Sequence, residues 1–160
     1  MSVETVREYL TKFGAEKRMM EFTVSSATVE LAAEAVGVIP ARIAKTLSFK
    51  TPENQAILIV AAGDAKIDNR KFKDEFGFKA KMLSFDEVPQ MTGHPVGGVC
   101  PFAVKPGVMT YIDESVKRFE TVFPAVGSPS SAIELTCDEL FEFSQAEKWI
   151  DVCKLPEIFE

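Results

Sequence analysis

A-I-L-I-V-A-A, residues 56–62, is the stretch that decides the fold predicted from this sequence. All seven residues are apolar, whereas a strand with one face in water alternates apolar with polar side chains. A strand that is covered on both faces shows the continuous pattern instead. We therefore predict that residues 55–62 form a central strand with other elements packed on both sides.

The residues before this strand predict its partner. T-L-S-F-K, residues 46–50, has strand-like character, and the T-P-E-N that follows contains Pro52 and Asn54, which favour turns. The two strands are therefore predicted to form a β-hairpin.

Helix and strand patterns alternate irregularly along the rest of the chain. Further strands are predicted at residues 19–24, 79–83, 108–112, 121–126 and 132–136. Helices are predicted where a capping residue or a proline precedes an apolar pattern, namely at Ser2, at Ser26 or Thr28, at Pro40, at Asp68, at Ser84, at Asp113 and at Thr136. This order predicts an α/β fold of the α+β type, with a mixed, mainly antiparallel sheet surrounded by helices in one domain, residues 1–160.

Composition narrows the class of protein. The 160 residues are 46% apolar and include 13 Phe, which is enough for one core. Because the first residues carry acids and no apolar run approaches the roughly 18 residues of a membrane span, we expect a soluble, cytoplasmic protein without membrane contact. One His and three widely spaced Cys predict no disulfide framework and no metal site. We also expect no cofactor.

The net charge of −6 does not fit a protein that binds nucleic acid mainly through phosphate contacts. A basic cluster nevertheless occurs, at Lys66, Arg70, Lys71, Lys73, Lys79 and Lys81. Two interpretations remain open for it: a solvated helix face or a phosphate contact.

T-G-H-P-V-G-G-V-C-P-F-A-V, residues 92–104, is the candidate functional loop. Fixing three glycines in a segment that also holds two prolines costs backbone entropy, so the glycines indicate positive φ angles or a close backbone approach. The N–H groups of Gly98 and Val99 could then converge on a ligand oxygen. The alternative is a tight connection between a helix and a buried strand.

Lys45, in R-I-A-K-T-L-S-F, lies where a short helical turn meets a predicted strand. A lysine at such a junction can point into a cleft, although most lysines are solvated at the surface.

Three segments in this order, K-T-L-S-F, G-G-V-C-P-F and A-V-G-S-P-S-S-A-I-E-L, resemble the aminoacyl-tRNA deacylases related to the bacterial protein YbaK and to the editing domain of prolyl-tRNA synthetase. The resemblance extends over nearly the whole chain. It implies a similar fold and hydrolysis of the ester between an amino acid and the terminal ribose of a mischarged tRNA, in trans. The acceptor end of aminoacyl-tRNA would be the partner, and an aminoacyl-tRNA synthetase is a second candidate partner.

The resemblance also implies roles for individual residues. Lys45 would position the substrate, and the loop at Gly97 and Gly98 would hold the water or the ester carbonyl. The residues implied or predicted to contact substrate are Phe22, His94, Val99, Pro101, Ser128 and Ser131. Some relatives carry an acid or a histidine near Ser128 and Ser131, and this departure leaves the amino-acid specificity open.

Two rival interpretations remain. Cys100 could be a nucleophile with His94 as its base, although a small buried apolar role fits a Cys in this position as well. The chain could also be a catalytically silent binding or adaptor module for an amino-acid-like ligand or a tRNA acceptor end.

Overall fold

The computed structural model of the chain describes residues 2–23 and 28–156. In that part of the chain the α-helices are α1 (Ser2–Thr11), α2 (Val29–Val36), α3 (Asn69–Phe76), α4 (Glu87–Thr92) and α5 (Cys137–Ser144). Shorter 3₁₀ turns lie at Glu16–Arg18, Pro40–Arg42 and Glu114–Arg118. The strands are β1 (Met20–Glu21), β2 (Ile43–Lys50), β3 (Ala56–Ala62), β4 (Lys66–Ile67), β5 (Met109–Asp113), β6 (Thr121–Pro124), β7 (Ser131–Ala132), β8 (Leu135–Thr136), β9 (Trp149–Ile150) and β10 (Cys153–Lys154).

A six-stranded mixed sheet forms the centre of the fold, in the order β8-β6-β2-β3-β5-β9. The predicted hairpin is confirmed, since β2 and β3 pair antiparallel from Ala44↔Ala62 to Lys50↔Ala56. β3 lies inside the sheet and every one of its residues is buried, as its apolar sequence predicts. The pairs β2–β6, β3–β5 and β5–β9 are parallel, so the α+β fold with a mixed sheet is confirmed.

β2 begins earlier than predicted, at Ile43 instead of Thr46. Ile43 and Ala44 pair in parallel with Phe123 and Pro124 of β6, a long-range contact that extends the strand. Lys45 is therefore a strand residue, paired with Ala61 of β3.

The predicted strand at 132–136 is divided between two sheets. β7 pairs with β1 in a two-stranded sheet, whereas β8 pairs with β6 at the edge of the large sheet. The N–H of Ile133, between them, donates to the Pro124 carbonyl at 3.0 Å. The predicted strand at 79–83 contributes an isolated bridge between Met82 and Phe49, beside the end of β2.

Capping residues set most helix starts. The Asp68 carboxylate accepts from the N–H groups of Arg70 and Lys71, and the side chain of Asp113 caps a 3₁₀ turn in place of the predicted α-helix. Thr28 caps α2, whereas the alternative, Ser26, lies outside the described residues. α1 already includes Ser2, so its predicted cap is a helical position. Among the described residues, every helix is too short or too polar for a membrane span.

Thr136 and Glu139 form the predicted capping box at α5. The Thr136 hydroxyl accepts from the Glu139 N–H at 3.1 Å, and the Glu139 carboxylate accepts from the Thr136 N–H at 3.0 Å. Arg18 also donates to both carboxylate oxygens of Glu139, at 2.8 and 3.0 Å. The hydrogen bond from Arg18 is the main cause that lowers the pKa of Glu139 to about 2.

We expect Glu139→Gln to destabilise the protein at neutral pH, by about 1 kcal/mol. The folded-state pKa lies below the unfolded value, so the contribution of the carboxylate is present above pH 4.5 and is lost as pH falls through about 2. Urea unfolding at pH 7 and pH 3 should show the difference between parent and variant shrinking in acid. Glu142→Gln, at an exposed position of the same helix, should change little at either pH. An equal loss at both pH values would contradict the account.

Candidate active site

A cleft of about 210 Å³ opens beside the first residues of β2. α2, the end of β6 and the 127–132 segment form its other walls. Its lining residues are Phe22, Thr28, Val29, Ala32, Ile43, Ala44, Lys45, Thr46, Gly97, Val99, Phe123, Ala125, Ser128, Pro129, Ser131 and Ala132. Six of the nine residues predicted for the site are among them. Gly98, His94 and Pro101 are not.

Lys45 is the cation of the cleft. Its half-buried side chain donates through Nζ to the backbone carbonyls of Gly63 and Ala65, the former at 3.3 Å. An ammonium carries three N–H donors. These two hydrogen bonds leave one donor for a ligand in the cleft that Lys45 lines.

Burial lowers the pKa of Lys45, because it disfavours the charged form. The nearby negative charges of Asp64 and Glu30 oppose this effect and raise the pKa, as does Cys153. The carbonyls of Gly63 and Ala65 hydrogen-bond to the ammonium in place of water.

Gly63 allows the turn that carries the two carbonyl acceptors of Lys45 to form. A Cβ at this position would lie 2.1 Å from the Pro40 carbonyl oxygen and 2.6 Å from Cγ1 of Val29. The turn lies so close to the 3₁₀ segment before β2 that only glycine, which has no Cβ, can occupy this position. We did not predict Gly63 from the sequence; its position directly after the buried strand A-I-L-I-V-A-A was the available signal.

The glycine loop reaches the cleft through Gly97 and Val99. Gly97 has a φ of 86°, and a Cβ there would lie 3.7 Å from Cβ of Pro129 across the cleft. Hydrogen bonds from the N–H groups of Gly97 and Val99 to other described residues are absent. These two N–H groups are therefore available to a ligand oxygen.

Gly98 has a different role from the one expected. Its N–H donates to the Pro95 carbonyl at 2.9 Å, within a turn of the loop itself. A Cβ on Gly98 would lie 2.8 Å from the Gly127 carbonyl oxygen and 3.0 Å from Cα of Ser128. The glycine thus permits the loop to pack directly on the segment that forms the opposite wall.

His94 and Cys100 lie together behind the loop and away from the cleft. His94 is 1% exposed and its Nε2 is 2.7 Å from the Phe102 carbonyl oxygen; Cys100 is fully buried with its Sγ 3.6 Å from that Nε2. Burial lowers the pKa of His94 and raises the pKa of Cys100 to about 12. A thiol with this pKa is a poor nucleophile at neutral pH.

Pro101 is buried on the far side of the loop, where it lines a separate depression with Tyr9 and Ala103. Ala103 has a positive φ of 55°, so the chain turns sharply after Pro101. Pro101 therefore belongs to the scaffold that holds the loop.

The serines of the facing wall make hydrogen bonds within their own segment. The Ser131 hydroxyl donates to the Ser128 carbonyl at 3.1 Å and accepts from the Val126 N–H at 3.3 Å. The Ser128 hydroxyl accepts from the Ser130 N–H at 3.2 Å. Phe22 joins this wall, since its N–H donates to the Ser130 carbonyl at 2.8 Å.

Apolar residues of α2 and the sheet complete the cleft, and the sequence reasoning missed them. Val29 and Ala32 come from α2, and Ile43, Phe123 and Ala132 from strands. Their helical or strand patterns identify them only as core residues. Groups of His, Cys, Asp and Glu that could hold a metal ion are absent from the described residues.

The chain is similar to several known proteins. The family described as "Aminoacyl-tRNA editing domain" matches residues 23–143. "Uncharacterized protein YwhH" of Bacillus subtilis is 58% identical over 154 residues, which are 96% of this chain and 98% of that protein. A protein of Enterococcus faecalis named "Putative Cys-tRNA(Pro)/Cys-tRNA(Cys) deacylase EbsC" is 25% identical, over 75% of this chain and 74% of its own length.

A solved structure gives the same fold. It is described as a "putative trans-editing enzyme for prolyl tRNA synthetase", and it is 27% identical with a TM-score of 0.86 over 96% of this chain and 97% of its own. The family match covers most of the chain, and the solved structure has the same fold. The chain therefore belongs to the aminoacyl-tRNA editing domain family.

Proposed function

We propose that this protein hydrolyses, in trans, the ester between the amino acid and the terminal ribose of mischarged tRNA. The observation that carries the proposal is that one cleft is lined by a half-buried lysine and by two residues, Gly97 and Val99, whose N–H groups make no hydrogen bond to other described residues. An activated ester needs little else from a protein than positioning and stabilisation of the developing charge.

Lys45 has the role of positioning substrate in this proposal. Its remaining N–H donor and its positive charge suit an oxygen of the ester or of the neighbouring phosphate. Because the ammonium is held by the carbonyls of Gly63 and Ala65, it needs no reorganisation when the substrate arrives. Preorganised charge of this kind is effective in a partly dehydrated site.

The N–H groups of Gly97 and Val99 are proposed to hold the carbonyl oxygen or the attacking water. In the hydrolysis, the oxygen of water adds to the ester carbonyl, the bond from that carbon to the ribose oxygen breaks, and the ribose oxygen takes up a proton. The products are the free amino acid and a tRNA with a free terminal hydroxyl. The apolar walls at Val29, Ala32 and Phe123 would seat the amino-acid side chain.

The acidic surface favours a local contact with the acceptor end of the tRNA. With a net charge of −6, the chain cannot rely on wide electrostatic attraction to phosphates. We accordingly propose a cytoplasmic role in translation quality control. A synthetase partner would supply additional tRNA affinity.

Lys45→Met should fold normally and lose deacylation by roughly two to three powers of ten, because it removes a charge aimed at the reacting groups and keeps the chain length. Release of labelled amino acid from mischarged tRNA measures the effect. Lys17→Met is the matched control, since Lys17 is an exposed lysine that neither lines the cleft nor belongs to the basic cluster. Equal turnover in parent and Lys45→Met would favour a silent binding module.

Gly97→Ala should lower turnover at least tenfold, because a Cβ at positive φ disturbs the backbone that presents the loop N–H groups. The same strain should lower the free energy of unfolding by about 1 kcal/mol. Gly107→Ala carries the same strain, since its φ is 90°, but lies outside the cleft. Thermal unfolding should show a similar loss of stability in both variants, whereas turnover should fall only in Gly97→Ala. If both variants deacylate like the parent, the N–H groups of the loop are not used.

Cys100→Ala should retain most activity, because water and not the thiol is the proposed nucleophile. The parent's Cys100 should also resist alkylation by iodoacetamide at pH 8, well below its pKa of about 12. Mass spectrometry of the labelled chain locates any modification. Trapping an acyl group on Cys100 during turnover would reverse this assignment.

A further inference from the structure

We propose that Asp64 and Arg118 are positioning residues that fix the Lys45 ammonium, acting through the turn at residues 63–65. Neither residue lines the cleft. The inference rests on the proposed deacylase function and extends it to a pair of charges behind the catalytic lysine.

Arg118 holds the turn by a two-point contact with Asp64. Its two terminal nitrogens lie 3.1 and 2.5 Å from the two carboxylate oxygens. Its Nε donates to the Ser115 carbonyl at 2.9 Å, within the same 3₁₀ segment Glu114–Arg118. A planar guanidinium held at three points has a fixed direction, and so does the carboxylate that it binds.

Ser115 ties the start of the turn to the same 3₁₀ segment. Its hydroxyl accepts from the Ala62 N–H at 3.0 Å, and the Ala65 N–H donates to the Ala62 carbonyl at 3.0 Å. The two carbonyls that bind Lys45 belong to Gly63 and Ala65, on either side of Asp64. The 3₁₀ segment therefore determines where both acceptors of the ammonium lie.

Stability alone does not account for this arrangement. The side chains of Arg118 and Asp64 are 34% and 23% exposed, and ion pairs in such positions contribute little to folding. Catalytic groups are more sensitive, because a displacement of about 1 Å can cost roughly a hundredfold in rate. A role in positioning thus predicts a large effect on turnover beside a small one on unfolding.

Asp64 also acts on Lys45 directly through its charge. Burial disfavours the ammonium, and the negative charge of Asp64 favours it. Hydrogen bonding to Arg118 in turn lowers the pKa of Asp64 and keeps it ionised.

The test compares Arg118→Gln with Arg18→Gln. Both variants break a two-point arginine–carboxylate contact, but Arg18 binds Glu139 at α5. The ammonium of Lys45 is followed at pH 6 by proton–nitrogen NMR of lysine side chains. Its signal is identified as the one that is missing from the spectrum of Lys45→Met. A hydrogen-bonded ammonium exchanges its protons slowly and gives a resolved signal.

The proposal predicts a resolved Lys45 signal in the parent and in Arg18→Gln, and its loss in Arg118→Gln. Turnover in Arg118→Gln should fall roughly ten- to a hundredfold in kcat, with KM changing less than twofold. Asp64→Asn should reproduce both effects and serves as the second variant if Arg118→Gln fails to fold.

Two negative results have different meanings. A Lys45 signal missing in the parent, or unchanged in both Arg118→Gln and Asp64→Asn, overturns the positioning role whatever the turnover. In the other case, the parent shows a Lys45 signal but no deacylation, and the signal disappears in Arg118→Gln. Asp64 and Arg118 then still position Lys45, and the proposed reaction is wrong.

Discussion

The contact between the Lys45 ammonium and two backbone carbonyls at the end of β3 is the constraint on which the site depends. Hydrogen bonds to a charged group contribute about 1.5–3 kcal/mol each, which offsets much of the cost of partial burial. The contact needs a buried strand that stops at Ala62, a glycine at position 63 and a parallel pairing that begins β2 at Ile43. The central sheet thereby places a positive charge at the wall of a cleft.

The glycine loop lines the same cleft as that charge because Gly98 packs directly on the backbone of Gly127 and Ser128. Gly98 permits the approach and Gly97 presents the loop to the cleft. Behind the loop, His94 and Cys100 fill the space as a buried pair. The residues with the most familiar catalytic chemistry thus lie away from the cleft, and the proposed reaction uses backbone groups instead.

Patterns local in sequence predicted much of this architecture. Three of them act within a few residues and are confirmed: the apolar run at 56–62 forms a buried strand, Asp68 caps α3, and Thr136 forms the capping box of α5. Long-range contacts decided the rest. The division of residues 131–136 between two sheets and the close approach of Gly63 to Pro40 depend on partners that no local period specifies.

This cleft is proposed to hydrolyse the ester of an aminoacyl-tRNA. A panel of tRNAs, each charged with a labelled noncognate amino acid, tests it most directly, with the protein in excess and the release of amino acid followed over time. We predict that at least one member is deacylated well above its rate in buffer. If every member binds and keeps its amino acid at the buffer rate, the protein is a binding module and the account is wrong.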